Sequence, residues 1–272
     1  MPTPIKLSSS ATKEFWEIPV LFEDEHLLAL DKPACLLSSP DRYDPDRPNL
    51  MRLLHDGIAA GKPWARDRGL SYLSNAHRLD FETTGVILLA KSKPVLVALA
   101  SLFGSEKPGK NYVALVQGTV TADRFEVDAK LEPHPLKLGR MRVGEKRGKK
   151  SRTLFEVLER FTGYTLLQCR PLTGRTHQIR VHLQHLRLPI LGDELYGGRQ
   201  LFLSRLKRDY DLKPGRVERP LISTLALHAE KLSLDHPVTG QPVVITAPWP
   251  KDLTVAVKYL RRYALPSGAA LQ

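Results

Sequence analysis

The stretch Ala76-His77-Arg78-Leu79-Asp80-Phe81-Glu82-Thr83-Thr84-Gly85-Val86-Ile87-Leu88-Leu89-Ala90-Lys91 decides how the rest of the chain is interpreted. Its apolar run, Val86 to Ala90, is short enough to be a buried β-strand rather than a helix. The Thr-Thr-Gly segment before the run predicts a turn, which puts the Asp80 carboxylate at the end of a core strand. An aspartate on a turn often does no more than accept local hydrogen bonds, so the rest of the chain must decide its role.

Length and charge indicate a globular protein with a polyanionic partner. The 272 residues are 42% hydrophobic, enough for a sizeable core in one large domain or two small ones. The formal net charge of +12 favours nucleic acid or an anionic membrane surface. Because no basic amphipathic helix of the membrane-binding type is evident, we predict nucleic acid.

The cysteines and the apolar segments bear on location. Cys35 and Cys169 stand alone, without the spacing of a disulfide framework or a zinc site. Residues 1–17 lack the apolar core of a secretory signal, and no apolar run approaches the roughly 20 residues that span a bilayer. We therefore expect a cytoplasmic protein without membrane association.

Turn residues and hydrophobic periodicity predict many strands and a few helices. We expect a loose tail over residues 1–15, one folded domain over residues 16–264 and a second tail over residues 265–272. Because the elements do not alternate as βαβ units, the pattern favours a mixed α+β fold. Strands are predicted at 20–22, 27–30, 86–90, 110–116, 124–131, 153–161, 164–170, 225–229, 232–234 and 243–245, and helices after Asn49, Ser92, Thr176 and residue 250.

Residues 139–152 form a strongly basic segment, with seven Lys or Arg and one Glu. Such a segment is either a solvated mobile loop or a nucleic-acid contact. We favour the contact, because like charges packed this densely repel one another unless an anion relieves them.

Residues 172–186 carry an arginine in a favourable position. Thr176 is predicted to cap a helix whose apolar residues, Ile179 among them, face the core. Arg180 lies about 100° around that helix from Ile179, on the flank of the buried face. From there an arginine can reach a carboxylate on a neighbouring element.

Several other kinds of site are not supported. His177, His182 and His185 do not form His-Glu-x-x-His and have no nearby cysteine, so hydrogen-bonding histidines are expected rather than metal ligands. No Gly-x-Ser-x-Gly elbow and no glycine-rich phosphate loop appears. Asp80 and Glu82 would point to opposite faces of an extended segment, which argues against a glycosidase pair. We expect no metal and no cofactor, nucleotides included.

The remaining motifs occur in one order between about residues 20 and 245. Asp80 lies in His-Arg-Leu-Asp-x-x-Thr-Thr-Gly. The other blocks are Glu23-Asp24-Glu25-His26 with Asp31-Lys32-Pro33, Lys110-x-Tyr112, Gly174-Arg175-Thr176-His177-Gln178-Ile179-Arg180-Val181-His182, Leu191-Gly192-Asp193-x-x-Tyr196-Gly197, Leu227-His228-Ala229 and His236-Pro237-x-Thr239-Gly240. Together they resemble the RluA-type family of RNA pseudouridine synthases. The resemblance implies a largely antiparallel sheet core with flanking helices.

Some features depart from the family pattern. The family usually has Thr-Ser-Gly where this chain has Thr83-Thr84-Gly85. Cys35 and Ser38-Ser39-Pro40 stand where the loop after Lys-Pro more often carries Gly and His-Pro, so the role of this first loop is not predicted. Only about 20 residues precede the first matched strand, so we expect no small N-terminal RNA-binding domain of the kind that many relatives carry. The RNA would then be held by the basic surface of the catalytic domain.

The resemblance implies isomerisation of a uridine in ribosomal or transfer RNA to pseudouridine. It makes Asp80 the nucleophile or key base, Arg180 its ion-pair partner, and Tyr112 the ring that stacks on the uracil with its hydroxyl near C5. The uracil is expected to be flipped out, because it is inaccessible inside a stack. The expected RNA contacts are His77, Arg78, Lys110, Arg175 and His177, with residues 139–152 as further candidates.

Two other interpretations remain open. One is a non-catalytic RNA-binding or ribosome-assembly factor with a relic site, which a turnover assay would identify. The other is a hydrolytic base-excision enzyme, which would release free uracil. We expect the protein to be a monomer.

Overall fold

The computed structural model describes residues 3–41, 44, 46–144, 148–213 and 215–266. The chain forms two compact units, Met1–Lys110 with Ala229–Pro248, and Asn111–His228 with Trp249–Gln272. It passes between the units inside two strands and again just before the last helix. Because two of the three crossings lie inside strands, the sequence does not show them as linkers, and it predicts a single domain.

The described residues contain strands and helices throughout, as the sequence predicts. In chain order the elements are β1 (Ile5–Ser8), β2 (Phe15–Ile18), β3 (Val20–Glu23), β4 (Leu27–Lys32), α1 (Leu50–Ala59), α2 (Pro63–Arg66), β5 (Ser74–Asn75), β6 (Thr84–Ala90), α3 (Lys93–Gly104), β7 (Gly109–Gln117), β8 (Arg124–Pro133), β9 (Met141–Gly144), β10 (Lys149–Phe161), β11 (Tyr164–Pro171), α4 (Gln178–His185), β12 (Leu227–Asp235), β13 (Pro242–Thr246) and α5 (Lys251–Tyr263).

The sheet of the first unit is built around β6. Its strand order is β3-β4-β6-β12, with β5 paired to β6 and β13 paired to β12. The β3–β4, β4–β6, β5–β6 and β12–β13 pairs are antiparallel. Every residue of β6 after Thr84 is buried, because β6 has neighbours on both edges and apolar side chains pack on both faces. This explains why the strand appears in the sequence as an unbroken apolar run.

The helix predicted after Asn49 is confirmed as α1. The Asn49 side chain accepts a hydrogen bond from the Arg52 amide at 3.0 Å, as an N-cap residue does. Leu50, Leu53 and Leu54 are buried along one face of the helix.

The prediction of a loose tail over residues 1–15 was wrong, because part of this segment forms a β-hairpin. Residues Ile5–Ser8 pair antiparallel with residues Phe15–Ile18. Ile5, Leu7 and Ile18 are buried, so the alternation of apolar and polar residues in this short segment gives it one face in the core. Of the C-terminal tail predicted over residues 265–272, residues 267–272 lie outside the described part of the chain.

The second unit is an antiparallel sheet with two helices. Its strand order is β7-β11-β10-β8-β9, and each neighbouring pair is antiparallel. The core includes Val113, Leu115, Phe155 and Leu167 from the strands and Leu260 from α5. The predicted α+β class with a largely antiparallel sheet is therefore confirmed.

Two local expectations in the second unit need correction. The alternative of a mobile loop over residues 139–152 does not hold where the segment is described, since Met141–Gly144 form β9 and β10 begins at Lys149; residues 145–147 lie outside the described residues. The helix predicted after Thr176 begins at Gln178, because His177 adopts a left-handed conformation with φ +55°. Thr176 is therefore not the cap.

A test of the fold follows from Gly85, the glycine of the Thr-Thr-Gly motif. Its φ is +108°, and an added Cβ would lie 2.3 Å from the Ala229 carbonyl oxygen, an atom of the adjacent backbone. We expect Gly85→Ala to lower the free energy of unfolding by about 3 kcal/mol, since left-handed strain and a backbone clash add.

Gly163→Ala is the matched control. Gly163 also has a positive φ, +79°, but no atom lies within 4 Å of the position that an added Cβ would take. It should cost only about 1 kcal/mol. Urea unfolding measures both variants, and equal losses would contradict the proposed close approach at Gly85.

Candidate active site

Asp80 lies in the loop between β5 and β6, half-buried at the start of the core strand. The Thr83 amide donates to the Asp80 carbonyl at 3.2 Å, which closes the turn that the sequence predicts. The residues on both sides of Asp80 are held by the segment that follows β4.

Ser38 holds the residue before Asp80. The Leu79 amide donates to Ser38 Oγ at 3.0 Å, and Ser38 Oγ donates to the Leu79 carbonyl at 2.8 Å. Both residues are buried, so one hydroxyl satisfies both backbone polar groups of Leu79.

Lys32 holds the residue after Asp80. Its side chain has no exposed surface, and Nζ donates to the carbonyl of Phe81 at 3.2 Å, of Pro33 at 2.8 Å and of Leu36 at 2.7 Å. Burial lowers the pKa of Lys32 to about 7, and the negative charge of Asp80 acts in the opposite direction. The amino group is thus within electrostatic reach of the carboxylate.

The loop after Lys32-Pro33, whose role the sequence did not predict, therefore positions the backbone around Asp80. Cys35 has φ +60°, a left-handed conformation that glycine adopts without strain. This accounts for the glycine that the family more often carries there. The loop turns at Cys35 so that Lys32 and Ser38 can grip the backbone on either side of Asp80.

The other predicted site residues of the first unit differ in exposure. His77 Nε2 accepts a hydrogen bond from the Leu88 amide at 3.0 Å, and its ring stacks on Phe103 with centroids 4.9 Å apart. Burial, together with the positive charge of Lys110, lowers the pKa of His77 to about 4. Its neutral ring supports the loop, while Arg78 is exposed. RNA binding by these residues and by Lys110 stays a prediction.

Arg180, in the second unit, forms a buried ion pair that the sequence did not reveal. Its Nε donates to Asp193 Oδ2 and its Nη2 to Asp193 Oδ1, both at 2.8 Å. Arg180 is 5% exposed and Asp193 has no exposed surface. The bidentate geometry fixes the plane of the guanidinium through its Nε and Nη2 edge. The ion pair of Arg180 with Asp80 stays a prediction.

Tyr196 is a second residue that sequence reasoning missed. It is 2% exposed, and its hydroxyl contacts the Met141 amide at 2.9 Å and His177 Nδ1 at 2.8 Å. The Arg180 guanidinium lies 5.0 Å from the centroid of its ring. The Leu-Gly-Asp-x-x-Tyr-Gly block, in which Asp193 and Tyr196 are three residues apart, was the signal that could have identified both.

A buried hydrogen-bond network holds α4 in place. His182 Nε2 lies 2.8 Å from Ser151 Oγ, and Nδ1 lies 2.9 Å from Thr153 Oγ1. Because Ser151 Oγ donates to a carbonyl, it accepts from His182 Nε2, and Nδ1 accepts from Thr153. Gln178 extends the network, donating to Thr153 Oγ1 and accepting from the Arg175 amide, both at 3.0 Å.

Tyr112 and Arg175, two further predicted site residues, both lie in the second unit. Tyr112 is half-buried on β7, opposite Cys169 of β11, and packs against the core of the second unit. Arg175 Nε donates to the Lys150 carbonyl at 3.0 Å, which ties the loop before α4 to the start of β10.

The basic segment 139–152 is partly neutralised within the protein. Arg142 forms an ion pair with Glu132, and Arg152 forms one with Glu126, each at 2.6 Å. Both glutamates lie on β8, so cross-strand pairing relieves part of the charge repulsion that had favoured an anionic partner.

Within the ranges that the structure describes, no three His, Cys, Asp or Glu side chains are grouped to hold a metal ion. The described helices include none long and apolar enough to cross a membrane.

Comparison with known sequences shows the family to which this chain belongs. The sequence profile of RNA pseudouridylate synthases matches residues 26–185, more than half of the 272 residues. The chain belongs to the RNA pseudouridylate synthase family, and the prediction made from its motifs is confirmed. It is an isomerase that forms pseudouridine in RNA.

Curated relatives match most of the chain. Ribosomal large subunit pseudouridine synthase D of Xylella fastidiosa is 38% identical over 253 residues, which cover 90% of this chain and 70% of that protein. Ribosomal large subunit pseudouridine synthase C of Salmonella typhi is 36% identical over 247 residues, covering 90% of this chain and 70% of that protein.

Solved structures share the fold at lower identity. Human RNA pseudouridylate synthase domain containing 4 superposes with a TM-score of 0.68 at 24% identity, covering 89% of this chain and 92% of that one. Human RNA pseudouridylate synthase domain containing 1 gives 0.62 at 22% identity, covering 92% and 97%.

The network around His182 predicts a pH dependence of stability. Burial lowers the pKa of His182 to about 4 from an ordinary value of 6.5. As pH falls below 6.5, the unfolded chain binds a proton that the folded chain does not, so stability is lost down to about pH 4. We expect this histidine to account for a loss of about 2 kcal/mol between pH 7 and pH 5.

His182→Gln removes the titrating group. The variant is expected to be less stable at pH 7, but its stability should fall less between pH 7 and pH 5 than that of the wild type. Urea unfolding at both pH values measures the difference. An identical pH dependence in the two proteins would show that His182 is not buried in its neutral form.

Proposed function

We propose that this protein isomerises a uridine of large-subunit ribosomal RNA to pseudouridine, with Asp80 as the reacting carboxylate. The choice of RNA rests on the names of the relatives, which are synthases of the ribosomal large subunit. The choice of Asp80 rests on one observation, that Ser38 and Lys32 hold the backbone on both sides of this residue. A ribosomal substrate also implies that the protein works in the cytoplasm.

The reaction requires a carboxylate held in one place. The bond from N1 of uracil to C1′ of ribose breaks, the base turns, and a bond from C5 to C1′ forms. The C5 proton is lost and N1 gains one, so no oxidant and no energy source is consumed. A carboxylate can attack the base or the ribose, or take a sugar proton, and each route requires accurate positioning of Asp80.

Arg180 and Tyr112 are proposed to complete the reacting groups. The bidentate pair with Asp193 fixes the plane of the Arg180 guanidinium, which supports a role for Arg180 as the cation that pairs with Asp80. A guanidinium whose plane is already fixed loses little freedom on pairing with a second carboxylate. Tyr112 would stack on the uracil, with its hydroxyl near C5 to accept or relay the proton.

Substrate RNA is proposed to bind through basic side chains. Arg78 is exposed and two residues from Asp80, where it can fill the gap that a flipped base leaves. Lys110, Arg175 and His177 are the other proposed contacts, together with His77, whose neutral ring is engaged by the Leu88 amide. The net charge of +12 supports binding to a polyanion.

The test uses RNA from cells that lack this protein. Purified wild type is incubated with total RNA, and pseudouridine is mapped in the ribosomal and transfer fractions by mass spectrometry of nuclease fragments. We expect a new pseudouridine in large-subunit ribosomal RNA and none in transfer RNA. Modification of transfer RNA alone would overturn the proposed substrate.

Asp80→Asn tests the site in the same assay. Loss of the ionised carboxylate should lower the single-turnover rate by at least about 10³-fold, because the reacting group itself is removed. Asp56→Asn, at an exposed aspartate on α1, is the control and should react at the wild-type rate. Pseudouridine formed by Asp80→Asn at the wild-type rate would rule out the role of Asp80.

A further inference from the structure

The turn between β8 and β9 presents two leucines to solvent. Leu136 is 89% exposed and Leu138 is 78% exposed. Among the large apolar side chains of the described residues, only Val217 is as exposed as Leu136. Large apolar side chains are usually buried, so two exposed leucines on one short turn are unusual. We call this pair the apolar tip.

Hydrogen bonds within the turn give the tip a defined backbone conformation. His134 Nδ1 accepts hydrogen bonds from the amides of Leu136 and Lys137, both at 3.2 Å. The His134 amide donates to the Arg140 carbonyl at 2.8 Å, and the Arg140 amide donates to the Lys137 carbonyl at 3.2 Å. Internal hydrogen bonds therefore restrain the backbone of the turn that carries both leucines, so that little backbone freedom is lost on binding.

The base of the turn is anchored beneath the tip. The Met141 amide, at the start of β9, donates to the buried hydroxyl of Tyr196. The Arg140 guanidinium lies 5.2 Å from the centroid of the Tyr196 ring, and Arg180 lies 5.0 Å from the same centroid. Whatever the tip binds is thereby positioned relative to Arg180, within one compact unit.

The charge around the leucines indicates what the tip binds. Lys137 lies between them in sequence, and Arg140 and Arg142 follow. Arg142 pairs with Glu132, whereas Lys137 and Arg140 make no ion pair within the described residues. An apolar tip rimmed by cations is complementary to a nucleic acid, where an inserted leucine contacts base faces while the cations contact phosphates.

We propose that the β8–β9 turn is an RNA wedge, in which Leu136 and Leu138 contact unstacked bases of the substrate and Lys137 and Arg140 contact its phosphates. This inference rests on the proposed function and specifies how that substrate is gripped. It needs an RNA whose bases are accessible, such as a loop or a helix end, rather than a continuous duplex.

The decisive variant is Leu136→Ser with Leu138→Ser. Binding of large-subunit ribosomal RNA transcripts is measured by filter retention, and the single-turnover rate is measured at saturating RNA. We expect the Kd to rise about tenfold or more, because both apolar contacts are lost, while the saturated rate stays within about twofold. Val217→Ser removes an equally exposed side chain and should leave the Kd unchanged.

Salt dependence separates the two parts of the wedge. Lys137→Ala should reduce the slope of log Kd against log salt concentration by about one, as expected for one lost phosphate contact. The double leucine variant should keep the wild-type slope. Thermal unfolding checks that each variant is folded, which exposed positions should permit.

A double leucine variant with the wild-type Kd would overturn the wedge. A variant that only lowered self-association of the protein would overturn it too, since the tip would then be a protein contact. Binding is measured apart from pseudouridine formation. Wild-type protein that binds these transcripts through the leucines but forms no pseudouridine would overturn the proposed function while supporting the wedge.

Discussion

A buried amino group that must be satisfied by hydrogen bonds is the constraint on which the Asp80 loop depends. Lys32 has no exposed surface, and an ammonium group in that setting is costly unless it is fully paired. Three carbonyls meet this need, two from the loop after β4 and one from Phe81. The Lys32 side chain therefore fixes two segments of chain at once, and the second segment carries Asp80.

The second unit fixes its functional groups in a similar way, with different chemistry. The Arg180 guanidinium is held by both oxygens of Asp193 and lies against the ring of Tyr196. A buried ion pair of this kind adds little to stability but strongly restricts geometry, which the role proposed for Arg180 requires. The hydrogen bonds of neutral His182 to Ser151 and Thr153 hold α4, the helix that carries Arg180, against β10.

The sequence predicted the strands and helices well where local periodicity determines them. The β6 run, the Asn49 cap and the β10–β11 hairpin are examples in which neighbouring residues suffice. It did not predict the contacts that hold the site. Ser38 and Leu79 are 41 residues apart, and Lys32 and Phe81 are 49 apart, so no spacing rule connects them. The sequence analysis gave Asp193 no role of its own, because nothing local distinguishes an aspartate in a turn from the partner of a buried arginine.

The difference between local patterns and long-range contacts also explains which predictions failed. The β1–β2 hairpin was missed because four-residue strands give too short a pattern, although Ile5 and Ile18 are buried. For residues 139–152 the alternative of a mobile loop was considered because the sequence shows the charge density but not the strand pairing, and contact of this segment with RNA stays a prediction. The glutamates of β8 that pair with Arg142 and Arg152 become neighbours only in the folded sheet. Both at the site and in the basic segment, the contacts that the sequence did not predict join residues on different strands or loops.

The proposed site requires that the Asp80 carboxylate lie within electrostatic reach of the buried amino group of Lys32. NMR titration of ¹³C-labelled lysine side chains tests it directly, with a Lys32→Met sample to assign the resonance. We expect a Lys32 pKa of about 7 in the wild type, far below the ordinary 10.5. We also expect a still lower value in Asp80→Asn, because the Asp80 charge raises the pKa of Lys32. A Lys32 resonance that titrates near 10.5, or that does not respond to Asp80→Asn, would contradict the account.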